Sequence, residues 1–254
     1  MEIVLNGRAA AEKSVIALGM FDGVHIGHRV LLERAAFLAR EAGCPLVVCT
    51  FQQHPMELLN PAKNPKLLTT FQERQQLIEQ IGADVFFALP FDREAAETLP
   101  EVYVGQLVRQ FHPTAVVCGF NHTFGKNAAG SPALLEVLGG ALGFQTSIVP
   151  AITLGGQNVS SSAIRKSLEA GDVHHAMEML GRPYSRTVRL DESGVLHFPE
   201  DNKQPVGDGL YRVAVCKDGK RFPAMLRQQN DVCRLKLPGS FSAQEFTVEY
   251  LSRA

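Results

Sequence analysis

Two histidines flank a single glycine in the segment Gly19-Met20-Phe21-Asp22-Gly23-Val24-His25-Ile26-Gly27-His28. Glycines at 19, 23 and 27 suit a loop in which backbone must come close to a ligand. The segment follows an apolar run, Ser14–Gly19, and precedes a helical run beginning near Leu31, so His28 falls where a helix starts. Backbone N–H groups at a helix start are unpaired and favour an anion. Two imidazoles add donors at the same place. Donors aimed at charge developing on a phosphate lower the barrier to phosphoryl or nucleotidyl transfer.

Three further segments carry side chains that suit the same chemistry. In Val159-Ser160-Ser161-Ser162-Ala163-Ile164-Arg165, Ser160 or Ser161 is placed to cap a helix. Arg165 then lies about one turn in, where its planar fork can grip a phosphate. In Gly119-Phe120-Asn121-His122-Thr123-Phe124-Gly125-Lys126, Asn121 offers both a donor and an acceptor to a substrate edge, and Lys126 offers a point charge. Thr50-Phe51-Gln52-Gln53-His54-Pro55 ends an apolar run and brings His54 and Pro55 to a strand end. Each segment alone also reads as a capped helix or an ordinary strand-to-helix turn. Their common position, after predicted strands or at a helix start, is what separates them from that bland reading.

The elements that must position these residues alternate up to about residue 182. Strands are predicted at Ser14–Gly19, Leu46–Phe51, Val85–Leu89, Ala115–Cys118 and Thr146–Pro150. Helices are predicted near His28–Glu41, Phe71–Ile81, Ala95–Phe111 and Pro132–Leu142. Such β-α alternation predicts an α/β domain with a parallel sheet, helices on both faces and ligands beyond the carboxyl ends of the strands. From Arg186 onward the helical period gives way to alternating runs at Leu210–Val215, Val232–Leu237 and Phe246–Leu251. Turn signals at Gly207-Asp208-Gly209, Asp218-Gly219 and Pro238-Gly239 separate them, which predicts a small antiparallel sheet or barrel.

Bulk properties narrow the function classes. The 254 residues carry 25 Lys and Arg against 26 Asp and Glu, a net charge of −1, which gives no electrostatic case for nucleic acid or a membrane surface. No apolar run is long enough for a membrane span, and the N-terminus lacks signal-peptide character. The five cysteines are odd in number and none is paired as CxxC. They read as small buried hydrophobes in a reducing cytoplasm, not as a zinc or disulfide frame.

His25-Ile26-Gly27-His28 at the first β-α junction resembles the HxGH nucleotidyltransferases. The longer Gly-x-Phe-Asp-Gly-Val-His-x-Gly-His string resembles the bacterial FAD synthetases. Val159–Arg165 is similar to the superfamily's Ile-Ser-Ser-Thr-x-Ile-Arg, with Val159 and Ser162 replacing Ile and Thr. Gly119–Gly125 is similar to the family's Gly-x-(Asp/Asn)-x-x-Phe-Gly, and Thr50–Pro55 to its Thr-Phe-Asp-Pro-His-Pro, with Gln52 and Gln53 departing. Leu180-Gly181-Arg182-Pro183-Tyr184 closes the resemblance.

The resemblance implies a Rossmann-like nucleotidyltransferase domain over residues 1–183 and a riboflavin-kinase-like β-barrel domain over 184–254. It implies transfer of AMP from ATP to FMN, giving FAD and pyrophosphate, with Mg²⁺ bridging phosphates and few direct protein ligands. Within it, His25, His28 and Arg165 are the catalytic set. Gly19, Phe21, Gly27, His28, Ser160, Ser161 and Arg165 meet ATP, and Asn121, His54, Pro55 and Lys126 meet FMN. The kinase part departs from the family: Phe198-Pro199-Glu200-Asp201-Asn202 stands where Phe-Pro-Thr-Ala-Asn is expected, and Val232–Leu237 lacks the expected Glu. An inactive kinase barrel is therefore expected. The alternatives are another HxGH enzyme such as a cytidylyltransferase, a bifunctional enzyme with a divergent kinase site, and a flavin- or nucleotide-binding regulator without catalysis.

Overall fold

The computed structural model describes residues 1–5, 11–191, 195–199, 202–229, 232–236 and 245–254. By backbone proximity it divides into two compact units: Met1–Pro65 with Phe71–Ile152, and Lys66–Thr70 with Thr153–Ala254. No helix among the described residues is long and apolar enough to cross a membrane.

The first unit runs β1 (Glu2–Val4), β2 (Ser14–Leu18), α1 (Ile26–Ala42), β3 (Leu46–Phe51), α2 (Met56–Leu59), α3 (Phe71–Ile81), β4 (Val85–Leu89), α4 (Arg93–Glu97), α5 (Pro100–Phe111), β5 (Pro113–Gly119), α6 (Pro132–Leu142) and β6 (Gln145–Val149). Its six strands are all parallel, in the order β1-β4-β3-β2-β5-β6. The central strands β2, β3, β4 and β5 alternate side chains between two buried faces and carry few polar residues, whereas the edge strands β1 and β6 carry Glu2, Gln145, Thr146 and Ser147. Val15, Ala17, Val48, Phe86 and Val117 pack with Leu32, Ala35 and Ala39 of α1 and Ile78 of α3. Ile16, Leu18, Val47, Phe87 and Val116 pack on the other face with Val104, Leu107 and Phe111 of α5 and Leu135 of α6.

Chain order reverses beside β2. From β2 the chain moves outward to β3 and β4, then returns to pair β5 with the other edge of β2. The carboxyl ends of β2 and β5 therefore part at a topological switch point, where α/β sheets bind ligands.

The single helix predicted over Ala95–Phe111 is two helices. Thr98 (φ −69°, ψ 124°) and Leu99 (φ −65°, ψ 149°) are both extended and Pro100 opens α5; Leu99, the residue before the proline, is the one its ring steers out of the helical region. The edge strand β1 and the short α2 lay below the periodicity signal.

The second unit contains β7 (Thr153–Leu154), β8 (Gln157–Asn158), α7 (Ser161–Glu169), α8 (Val173–Leu180), β9 (Tyr184–Leu190), β10 (Val195–His197), β11 (Gly209–Lys217), β12 (Lys220–Gln229), β13 (Val232–Lys236) and β14 (Glu245–Arg253). The last six close into an antiparallel barrel in the order β10-β13-β12-β11-β14-β9. Asp218 (φ 49°) and Gly219 (φ 72°) make the two-residue hairpin between β11 and β12, with both positive angles that such a turn needs. The interior holds Val188, Val213, Val215, Leu226, Val248, Tyr211 and Tyr250, all essentially buried. The predicted strand ending at Leu237 is found to Lys236. Leu237, the Pro238-Gly239 turn, Glu200 and Asp201 lie outside the described residues.

Phe86 is fully buried in the centre of the first unit's core. Phe86→Ala is expected to cost about 3–5 kcal/mol, read as a lower urea midpoint for that unit's transition with its slope unchanged.

Candidate active site

The loop between β2 and α1 is tightly specified. Phe21 and Val24 both have positive φ (53° and 38°), uncommon for a large residue and strained for a β-branched one. Burial over-determines them: Phe21 is 0% and Val24 1% exposed, and the Val24 N–H donates back to the Phe21 carbonyl at 3.1 Å. The Phe21 ring folds against Gly19, where an added Cβ would stand 2.9 Å from the ring carbons. Gly27 is similarly confined, since a Cβ there would lie 3.2 Å from the His25 imidazole.

His25 is the N-cap of α1, and its Nδ1 accepts the His28 N–H at 3.2 Å. A neutral His25 must then carry its proton on Nε2. The two imidazoles stack, with centroids 3.6 Å apart and planes 15° from parallel, and Phe21 meets His28 edge-on at 5.4 Å. Burial lowers the His28 pKa well below its ordinary value, and the charges of His25 and Arg74 push it the same way. His28 is therefore neutral at pH 7. Its buried Nδ1 has no hydrogen-bond partner among the described residues. The first turn of α1 carries no acidic side chain, so nothing there opposes an anion.

Arg74 of α3 holds this loop from beneath, and nothing in its local sequence pattern marks it. Only 4% exposed, it donates to the Met20 carbonyl at 2.9 Å, to Phe51 O at 2.6 Å and to Gln52 O at 3.2 Å. One guanidinium thus joins the ends of β2 and β3. Burial lowers its pKa to about 10, Asp22 works in the other direction, and it stays charged at neutral pH. An arginine at the fourth residue of an amphipathic helix looks like a solvated residue in sequence; only its burial reveals the clamp. Thr50 adds a weaker tie, donating to Met20 O at 3.3 Å.

A cavity opens at the switch point. Gly19, Met20, Phe21, His28, Thr50, Phe51, His54, Pro55, Gly119, Asn121, His122 and Thr123 are among its walls. Six of the residues singled out in sequence, Gly19, Phe21, His28, His54, Pro55 and Asn121, meet there. His25 and Gly27 shape it from behind through the cap and the stack. A second, more apolar cavity continues from it, walled by Phe91, Phe124 and Gln106 and sharing Phe51, Pro55, Leu89, Tyr103, His122 and Thr123. Cys49 and Tyr103 line the first cavity as neutral groups, because burial pushes both pKa values up. Neither offers an ionised nucleophile at pH 7.

Lys126 forms an ion pair with Glu97 at 2.5 Å and stands outside the lining of both cavities. In the second unit, Ser160 is the N-cap of α7 and accepts the Ala163 N–H at 3.2 Å, which decides between the two serines. Ser161 opens the helix, and Arg165 donates to the Lys66 carbonyl at 2.6 Å. Among the described residues no group of three or more His, Cys, Asp or Glu is arranged to hold a metal ion. Asp22, the carboxylate of the loop, is buried near Arg74.

A parallel α/β sheet with a paired-histidine loop at its switch point belongs to the class of nucleotide-handling α/β proteins. Comparison with known proteins sharpens the class. The FAD synthetase family model matches residues 7–163. The bifunctional riboflavin kinase/FMN adenylyltransferase of Bacillus subtilis is 37% identical over 196 residues, covering 75% of this chain and 61% of the relative. That of Escherichia coli K12 is 31% identical over 225 residues, covering 84% and 72%. The chain spans about three-fifths of the length of the B. subtilis relative and of its Listeria monocytogenes counterpart. A crystal structure described as a macrolide-efflux protein from Streptococcus pneumoniae matches over 100% of both chains with a TM-score of 0.89. At 22% identity that likeness concerns the fold alone. The chain belongs to the FAD synthetase family.

Two outcomes follow from this geometry. Arg74→Met removes one donor group from three carbonyls, and each left dry costs about 1–3 kcal/mol, so a clear loss of thermal stability is expected. Arg74→Lys, which keeps charge but not reach, restores only part of it. His28 binds its proton less readily folded than unfolded, so its share of stability is present above the unfolded pKa of about 6.5 and is lost as pH falls below it. His28→Asn is expected to take up one proton fewer on unfolding, read as a shallower fall in melting temperature between pH 6.5 and 5.

Proposed function

We propose that the protein is an FMN adenylyltransferase. An oxygen of the FMN phosphate attacks the α-phosphorus of ATP in line. The bond from that phosphorus to the α,β-bridging oxygen breaks, and pyrophosphate leaves with the oxygen and its electron pair. The observation that carries this reading is the continuous pair of cavities at the switch point. One is walled by the HxGH loop and Asn121, and the other by aromatic side chains broad enough for a flavin ring.

The paired histidines suit a phosphate as neutral donors. His25 Nε2–H and one His28 N–H add to the N–H groups of the α1 start, and no proton need move for them to act. Gly19, Phe21 and Gly27 leave room for the nucleotide to lie against backbone. Asn121, His54 and Pro55 belong to the FMN side. Lys126 would have to leave Glu97 to join them, which makes it the weakest member of the set. The roles of Ser160, Ser161 and Arg165 on the ATP phosphates rest on their motif, of which residues 159–163 fall within the family match. Positioning and charge stabilisation carry the catalysis, with no covalent enzyme intermediate. Mg²⁺ enters with the nucleotide, as part of the substrate, held by phosphate oxygens and water.

The proposed division of labour is residues 1–183 for adenylyl transfer and 184–254 as a kinase-like barrel without kinase activity. In support of the second, β13 reads Val-Cys-Arg-Leu-Lys and carries no carboxylate. The working compartment proposed is the cytoplasm, and the partners are the small-molecule substrates alone.

The test is chromatographic. Purified protein with Mg²⁺ and ATP is expected to yield FAD from FMN and no product from riboflavin. His28→Ala is expected to fold, yet to lose at least about a hundredfold in turnover, in the range for removing a donor to developing charge. FAD from riboflavin would restore the bifunctional reading, and FMN binding without turnover would favour a regulator.

A further inference from the structure

His122 belongs to no assigned role, yet it lies where the two cavities join. It occupies one of the variable positions of the Gly-x-Asn-x-x-Phe-Gly run, between the substrate-facing Asn121 and the buried Phe124. Its main chain is fixed by the N–H of His122 donating to Gly119 O at 3.0 Å. Its ring lies over Phe124, with centroids 5.8 Å apart and planes 22° from parallel. Phe124 is in turn buried, 7% exposed. Among the described residues the imidazole is positioned by apolar contact, and its covered Nε2 has no hydrogen-bond partner there.

A covered imidazole nitrogen without a partner costs stability, so such an atom needs an explanation. Burial holds the ring neutral, with its pKa lowered to about 4. A neutral imidazole offers one donor and one acceptor and does not attract phosphate by charge. A half-turn of the ring about its last side-chain torsion exchanges nitrogens and carbons within one outline, so a nitrogen can be turned to a ligand without moving the backbone.

Building on the adenylyltransferase reading, we propose that His122 is a substrate-recognition residue that hydrogen-bonds the hydroxylated chain linking the flavin ring to its phosphate. The placement argues for that part of the molecule. If the phosphate end of the flavin nucleotide lies at the HxGH cavity and the ring in the aromatic one, the linking chain passes the residues shared by both. Among those six, Phe51, Pro55 and Leu89 have no polar side chain, and the Tyr103 phenol and Thr123 hydroxyl complete the set. His122 alone of the six has a buried polar atom left without a partner among the described residues.

The test compares ligand affinities of the full chain by quenching of flavin fluorescence and by calorimetry with MgATP. His122→Phe is expected to weaken FMN binding about tenfold, the loss of one net hydrogen bond. It should leave lumiflavin, which lacks the chain, and MgATP within twofold of the wild type. Its melting temperature at pH 7 should be equal or higher, because the orphaned polar atom is gone. His122→Gln, whose amide can reach similarly, should recover part of the FMN affinity. Unchanged FMN affinity in His122→Phe would overturn the proposal. So would an equal loss for lumiflavin, or a parallel loss for MgATP. If the wild type neither binds FMN nor forms FAD, the adenylyltransferase reading itself fails, and that is seen before any variant is made.

Discussion

The guanidinium of Arg74 is the contact on which the cleft depends. Parallel sheets end in carbonyls that point out of the sheet with no strand left to pair them. At the ends of β2 and β3 those carbonyls are partly withdrawn from water, so leaving them unpaired is costly. Arg74 supplies both nitrogens of its fork to Met20, Phe51 and Gln52. A lysine would offer a point charge and a hydrated head; the planar fork is what lets one side chain serve three acceptors. The positive φ values of Phe21 and Val24 sit in a loop that is buried and is held at this end by Arg74 and at the other by the cap on α1.

The same charge sets the electrostatics of the histidine pair. Stacked imidazoles 3.6 Å apart cannot both be protonated in a buried setting without large repulsion, and a buried arginine nearby adds to it. His28 is kept neutral, and the positive potential of Arg74 and of the helix start reaches the cavity without a proton having to be placed on it. In the proposed reaction the negative charge of a polyphosphate would make protonation of His28 easier, coupling ligand charge to proton affinity at this site.

Much of this was legible in the sequence where local chemistry decides the outcome. β3, β4, α3 and α6 run close to the predicted residues because each is a clean apolar or amphipathic block with a turn or cap at either end. The HxGH loop, Asn121 and His54 converge because the strands are parallel and every loop at that end of the sheet faces the same space. Legibility failed where a side chain acts through burial. Arg74 reads as a surface arginine, and His122 as a loop residue. Strand β12 was missed because Arg227-Gln228-Gln229 break the apolar alternation, and its pairing with β11 and β13 overrides that local signal. The split of one predicted helix at Thr98 was in the sequence all along, in Pro100.

Polar atoms that the fold leaves unsatisfied are not scattered through the first unit. Among its described residues the buried side-chain atoms without a partner are His28 Nδ1, Arg74 Nε and His122 Nε2. One lies in the histidine pair, one in the clamp beneath it, and one where the two cavities meet. A core packed for stability alone would fill such positions with apolar groups, since a neutral polar atom left dry costs more than its apolar replacement. The rest of the sheet follows that rule, with Val, Ile, Leu, Ala and Phe on both faces. Two of the three atoms, those of His28 and His122, belong to residues that line the cavity at the switch point, so under the proposed function this is where stability is given up for recognition.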